Sequence, residues 1–289
     1  MEKANLFIIG ASKCGTTSLY EILNEHPEIC MSNLKETGYF AKTSDIRKNI
    51  NYKAFYQHYN NEKVIGEVSP IYSELNVVPW VPRDLYNYNP DAQIIYIIRN
   101  PIKRMESVWK QTMSTGHWRE RVYEQKFGVD INKMPLDFKK AIYNYPPFLE
   151  ASKYWKQIQG YRKFFDDNQI KVVLFEDFVN KPDEVIYDLY NFMGVEQVNV
   201  NKSNLHYNPS QGKNMLNPKY KKILRLIHFV NTRLKTPYKL KKIIKSKIST
   251  SIPKETIEGE LKKDVLDILD EDVKMILSYA NKNVDYWKF

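Results

Sequence analysis

The chain has 289 residues, 43% of them hydrophobic and 27% charged, which is long enough and apolar enough for one substantial α/β domain or two small ones. Its 21 Tyr, 13 Phe and 5 Trp exclude a disordered chain, and its two cysteines, Cys14 and Cys30, exclude a disulfide framework. The net charge of +10, from 44 Lys and Arg against 34 Asp and Glu, favours anionic partners without choosing among nucleotides, nucleic acid, acidic glycans and anionic membrane surfaces.

The N-terminal residues run directly into Leu6-Phe7-Ile8-Ile9, an apolar run that reads as a buried strand and is too short for a signal h-region. No run reaches the length of a membrane span. Thr16 to Asn24 has helical spacing, with Leu19, Ile22 and Leu23 on one face, and Pro27 stops it. Helices are expected around Ala54–Tyr59 and Val81–Tyr88, with a short strand at Val64-Ile65. Gln93 to Ile98 reads as a second buried strand, and Pro101 opens the helix after it, where a missing N–H costs nothing. A helix is expected over Leu149–Phe165 and a third strand over Lys171–Phe175, followed by a helix from Asp183 to Met193 that ends at Gly194.

Lys219 to Lys247 is rich in Lys and Arg, while Ile223, Leu224, Ile227, Val230 and Leu234 keep a helical period. It reads as an amphipathic helix with a solvated basic face. A long terminal helix carries Leu261, Val265, Ile268, Leu269, Val273, Ile276 and Leu277 on one stripe. Strands alternating with helices imply a parallel sheet covered on both faces, with extra C-terminal helices. No repeat, linker or boundary divides residues 1–289, so one domain is expected.

Gly10-Ala11-Ser12-Lys13-Cys14-Gly15-Thr16-Thr17-Ser18 joins the first strand to the first helix. Amides at a helix N-terminus point outward without helical partners, and the dipole is positive there, so phosphate binds well. Glycines allow close approach, and the hydroxyls add donors. A nucleotide triphosphatase loop places Lys after its second glycine; here Lys13 precedes Gly15 by two residues.

That order, followed by Thr16-Thr17-Ser18-Leu19, resembles the 5′-phosphosulfate loop of sulfotransferases that use 3′-phosphoadenosine-5′-phosphosulfate. The resemblance implies a P-loop-like fold and a nucleotide held by Lys13, Cys14, Gly15, Thr16, Thr17 and Ser18. It also demands a site for the 3′-phosphate. Arg99 ends the second strand, and Ser107 follows eight residues later on the helix, which is the family's arrangement. A guanidinium suits phosphate because its donors form a planar fork. Phe175-Glu176-Asp177-Phe178 and Asp285-Tyr286-Trp287 resemble later family segments, and Ser210-Gln211-Gly212-Lys213 is the nearest match to a loop that closes over the nucleotide, assigning Gly212 and Lys213 to it. Many Golgi members pin that loop with a disulfide. Both cysteines here lie near the N-terminus, so a cytoplasmic enzyme is expected.

Sulfuryl transfer is an in-line displacement in which a protein mainly positions reactants and stabilises charge, and Lys13 suits the leaving oxygen without a metal. The acceptor proton needs a base. Glu36, in Lys35-Glu36-Thr37-Gly38-Tyr39-Phe40, matches the segment that carries the base in glycan N- and 3-O-sulfotransferases and is preferred. Glu67, in Gly66-Glu67-Val68-Ser69-Pro70, matches a second acidic segment, although Val68 stands where several relatives have Lys. His117 is a third candidate. Lys35, Glu67 and His117 are also candidate acceptor contacts.

The resemblance implies a glycan or small hydroxyl acceptor and adenosine 3′,5′-bisphosphate as product, with no nucleic-acid partner. Two other readings stand beside it. An ATP-dependent P-loop kinase would use Glu176 and Asp177 as metal ligands at a strand end, and a non-enzymatic polyanion-binding protein would use the net charge alone.

Overall fold

The computed structural model describes residues 2–115, 128, 134–199, 214–216, 249–252 and 255–289. Strand β1 (Leu6–Gly10) is buried along its whole length, because side chains of a continuous apolar run point to both faces of the sheet and both must be covered. Then follow α1 (Thr16–Asn24), β2 (Ile29–Met31), α2 (Ser44–Arg47), β3 (Val64–Val68), α3 (Val81–Tyr88), β4 (Gln93–Ile98) and α4 (Pro101–Thr115). The second half adds α5 (Phe138–Asn144), α6 (Tyr154–Tyr161), β5 (Ile170–Leu174), α7 (Phe175–Asn180), α8 (Pro182–Met193), the short strands β6 (Asn214–Leu216) and β7 (Ser249–Ser251), and α9 (Gly259–Tyr279).

The main sheet has the order β2-β3-β1-β4-β5, and every pairing in it is parallel. The expected α/β architecture with a central parallel sheet and an added C-terminal helix is present. From β1 the chain jumps to the edge strand β2, returns inward to β3, then crosses to β4 and β5 on the other side of β1. The connections leaving β1 and β4 therefore diverge, which opens a crevice at the C-terminal ends of these two strands.

Several elements differ from the sequence expectation. Strand β2 was not anticipated, because three residues carry too little periodicity. Strand β3 continues past Ile65 to Val68, since a neighbouring strand on each side supplies the ladder that Gly66 and Glu67 would not suggest. The expected helix at Ala54–Tyr59 is a single 3₁₀ turn over Tyr52–Tyr56. Phe175 opens α7 instead of closing β5. The expected Leu149–Phe165 helix splits into a 3₁₀ turn at Glu150–Ser152 and α6, because Lys153 leaves helical conformation at φ −80°, ψ 76°. The restarted helix needs partners for its first amides. Asp272 of α9 supplies them, accepting from Trp155 N at 3.0 Å and Lys156 N at 2.8 Å.

On α9, Val265, Leu269, Val273, Ile276 and Leu277 are buried as the stripe implies, whereas Leu261 is only partly buried and Ile268 is exposed. Strands β6 and β7 pair antiparallel beside α4. The basic stretch Lys219–Lys247 between them lies outside the described residues.

Candidate active site

Loop 10–18 leaves the sheet at Gly10, where a Cβ would sit 2.3 Å from Ser73 Oγ. It enters α1 through Gly15, whose φ of +88° makes it a left-handed N-cap. The helical ladder starts with Leu19 N donating to Gly15 O at 3.1 Å, so the amides of the first turn have no partner within the helix. Thr16 and Ser18 are buried and Thr17 is half-buried. Lys13, also left-handed at φ +72°, directs its Nζ toward Gln111 Oε1 of α4 at 3.5 Å.

Arg99 and Asn100 lie across the crevice. Asn100 caps α4, its Oδ1 accepting from Lys103 N at 3.1 Å, and Pro101 takes the first helical position. Ser107 stands one turn before Gln111, on the same face of α4, so the helix face that meets Lys13 also carries the serine. The Arg99 guanidinium lies 4.7 Å over the Phe175 ring, and the Arg99 carbonyl accepts from Tyr154 Oη at 2.7 Å. Phe175 also meets the loop, since a Cβ on Gly15 would stand 2.9 Å from its ring. One ring thus stands between the Gly10–Ser18 loop and Arg99 and packs on both.

Fixed positive charge converges here. Burial pushes the Cys14 thiol up to about 12, while the Arg104 and Arg99 guanidiniums pull it the other way. Arg104 is wholly buried, with Nη1 donating to Phe148 O (3.1 Å) and Ser152 Oγ (2.8 Å), and Nη2 donating to Pro147 O (2.9 Å).

At the C-terminal end of β3, Glu36 N donates to Val68 O at 2.9 Å. Glu36 has a left-handed backbone at φ +64°, and its half-exposed carboxylate accepts from Lys35 Nζ at 2.6 Å. A fixed backbone with a solvent-facing carboxylate meets the requirement for a proton acceptor that must reach a bound substrate. Glu67 is placed differently. It has no exposed surface, and its Oε2 accepts from Thr37 Oγ1 at 2.6 Å and Tyr52 Oη at 3.1 Å. Burial raises its pKa above the usual carboxylate range, against the lowering effect of the hydroxyls around it.

The profile of the family described as "Sulfotransferase domain" matches residues 3–272. The chain belongs to that family. It is 24% identical over 209 residues to heparan sulfate glucosamine 3-O-sulfotransferase 5 of Mus musculus, covering 71% of this chain and 57% of that protein. It is 22% identical over 269 residues to the membrane-associated sulfotransferase kil1 of Dictyostelium discoideum, covering 67% and 56%. This sulfotransferase-family chain thus spans a little over half the length of these curated relatives. A solved sulfotransferase from Alicyclobacillus acidocaldarius superposes over 100% of both chains with a TM-score of 0.63 at 20% identity, a likeness of fold.

Within this family chain, the structure brings Lys13 to Thr17, Arg99 and Ser107 to one crevice and places Glu36 at the neighbouring strand end. Gly212, Lys213 and His117 lie outside the described residues. The acids that a kinase would spend on a metal are engaged elsewhere. Glu176 accepts from Asn100 N (2.9 Å) and Trp287 Nε1 (3.0 Å), and Asp177 accepts from Tyr286 Oη (2.6 Å) and Lys282 Nζ (2.8 Å). Sequence reasoning missed Gln111, Tyr154, Phe175 and Arg104 as parts of the site. A 3.6-residue period from Ser107 would have pointed to Gln111; nothing local marks the other three, whose partners are distant in sequence. Among the described residues no helix is long and apolar enough to cross a membrane.

Proposed function

We propose that this protein transfers a sulfuryl group from 3′-phosphoadenosine-5′-phosphosulfate to a hydroxyl or amine, with a carbohydrate as acceptor. The observation that carries the reading is backbone conformation at the crevice. Four non-glycine residues among those described have positive φ: Lys13, Glu36, Asn61 and Asn281. Asn tolerates this region, whereas Lys and Glu hold it at a cost, and such strain collects at functional sites. The two strained residues are the two that the phosphosulfate loop and the base segment assign to chemistry.

The first-turn amides of α1 with Thr16 and Thr17 suit the 5′-phosphosulfate, and Arg99 with Ser107 suits the 3′-phosphate. The acceptor oxygen or nitrogen forms its bond to sulfur as the bridging S–O bond breaks. The acceptor proton passes to the Glu36 carboxylate, and the Lys13 ammonium neutralises the phosphate oxygen that departs with adenosine 3′,5′-bisphosphate. The carbohydrate acceptor rests on the Glu36 segment and on the heparan sulfate glucosamine for which the 3-O-sulfotransferase relative is named.

The test is a panel of acceptors assayed with radiolabelled donor, together with calorimetry of adenosine 3′,5′-bisphosphate. The bisphosphate should bind without magnesium and more tightly than ATP. Glu36→Gln should abolish turnover while leaving bisphosphate affinity within about twofold, and Lys13→Ala should lose both rate and affinity. Full activity of Glu36→Gln removes Glu36 from the chemistry, and preference for Mg-ATP restores the kinase reading.

A further inference from the structure

Burying a carboxyl group without full hydrogen bonding is costly, and Glu67 is such a group. It sits in β3 opposite Phe7 of β1, with no exposed surface. Its Oε2 takes the Thr37 and Tyr52 hydroxyls, while its Oε1 has no hydrogen-bond partner. Tyr52 Oη also meets Tyr56 Oη at 3.1 Å. The rings of Tyr39, Phe40, Tyr72 and Tyr88 pack around Tyr52 and one another, so the carboxyl is closed off from solvent. A buried acid so enclosed cannot reach an acceptor.

What it does reach is the segment beside Glu36. Four of the five backbone amides of residues 36–40 are fixed in turn. Glu36 N donates to Val68 O, Gly38 N to Ser69 Oγ at 3.0 Å, Tyr39 N to Thr37 Oγ1 at 3.1 Å and Phe40 N to Tyr72 Oη at 3.0 Å. Thr37 itself is fixed by its side chain: its hydroxyl donates to Glu67 and accepts from Tyr39 N, and its carbonyl accepts from Lys42 Nζ. The bond to Glu67, at 2.6 Å, is the one in this set made to a carboxyl group. Thr37 immediately follows Glu36, which holds a left-handed φ of +64°, a costly conformation that persists only where its surroundings fix it.

We propose that Glu67 is a positioning residue whose buried carboxyl fixes the Thr37 hydroxyl and so holds Glu36 in the backbone conformation that presents its carboxylate to the acceptor. The inference rests on Glu36 as the base. A carbonyl at position 67 serves the same purpose as a carboxylate, because the Thr37 hydroxyl needs only an acceptor.

Three variants test it: Glu67→Gln, Glu67→Leu and Thr37→Val. The first measurement is amide hydrogen exchange across residues 36–40 on the full chain, with no donor or acceptor present. Exchange should quicken about tenfold or more in Glu67→Leu and Thr37→Val and stay near wild type in Glu67→Gln. The second is turnover. The leucine and valine variants should lose about 10- to 100-fold in kcat, with bisphosphate affinity within about threefold, and glutamine should restore most of the rate. Thr37→Val removes the bond by a near-isosteric change and leaves the Glu67 carboxyl its Tyr52 donor, so a Glu67→Leu chain that does not fold leaves the test intact. Unchanged exchange in Thr37→Val overturns the proposal. A Glu67→Gln variant as inactive as Glu36→Gln also overturns it, by making Glu67 the reacting carboxylate. Full activity of Glu36→Gln instead sinks the base assignment alone, since the exchange result is read without any reaction.

Discussion

At the residue scale, the site is marked by backbone conformation as much as by charge. Lys13 and Glu36 both carry side chains in the left-handed region, at φ +72° and +64°. Holding an L-residue there costs about 1 kcal/mol. Asn61 and Asn281 show that asparagine occupies the same region in this fold. Lys13→Asn and Glu36→Asn are therefore expected to raise unfolding free energy by about 0.5–1 kcal/mol each in urea titrations while abolishing sulfuryl transfer. Destabilisation by both would mean that the strain is not released at these positions. Neither conformation was legible in the sequence. The motif identified Lys13 and Glu36 by type and order, but their φ values arise in the tight turn into Gly15 and in the segment from Glu36 to Phe40 that is tied to Val68, Glu67, Ser69 and Tyr72.

At the element scale, α6 depends on a partner far away in the chain. The periodicity of Leu149–Phe165 suggested one long helix, yet the chain breaks at Lys153 and restarts under the Asp272 carboxylate of α9. Burial pushes the Asp272 carboxyl up to about 6, outweighing the two amide hydrogen bonds that favour its charged form. A carboxyl raised on folding binds its proton more tightly in the native state. Its contribution is therefore most favourable below about pH 4 and is lost as pH rises from about 4 to about 6. Asp272→Asn keeps an acceptor for the helix but does not titrate. Urea unfolding at pH 4, 5, 6 and 7 should show the wild type losing stability relative to this variant across that window. Parallel curves would mean that Asp272 ionises normally.

At the scale of the whole molecule, the C-terminal residues close a circuit through the site. Trp287 Nε1 donates to Glu176, the same carboxylate accepts from Asn100 N, and Asn100 follows Arg99 at the end of β4. Trp287→Phe keeps a ring in a buried position but leaves Glu176 Oε2 without its indole donor. That should cost about 1–3 kcal/mol of stability. It should also weaken adenosine 3′,5′-bisphosphate binding several-fold, measured by calorimetry, by loosening the strand end that carries Arg99. Unchanged bisphosphate affinity would uncouple the C-terminus from the nucleotide site.

The sequence alone carried the parallel-sheet class, the loop after β1 and the family, because buried strands are continuous apolar runs and glycine loops between strand and helix are local in the chain. It also determined where the positive charge lies, since no Asp or Glu occurs between Glu196 and Glu255. The tertiary structure is what separates the two acidic segments by burial. Lys35-Glu36 and Gly66-Glu67 are both short acidic segments, and although the family resemblance prefers Glu36, nothing local says which carboxylate is buried. Folding sends Glu67 inward among tyrosines and leaves the Glu36 carboxylate half-exposed at the strand end, because β3 lies between β2 and β1 and both its faces are covered. Burial is a property of the neighbours, and for Glu67 those neighbours come from the 37–56 segment and Tyr72.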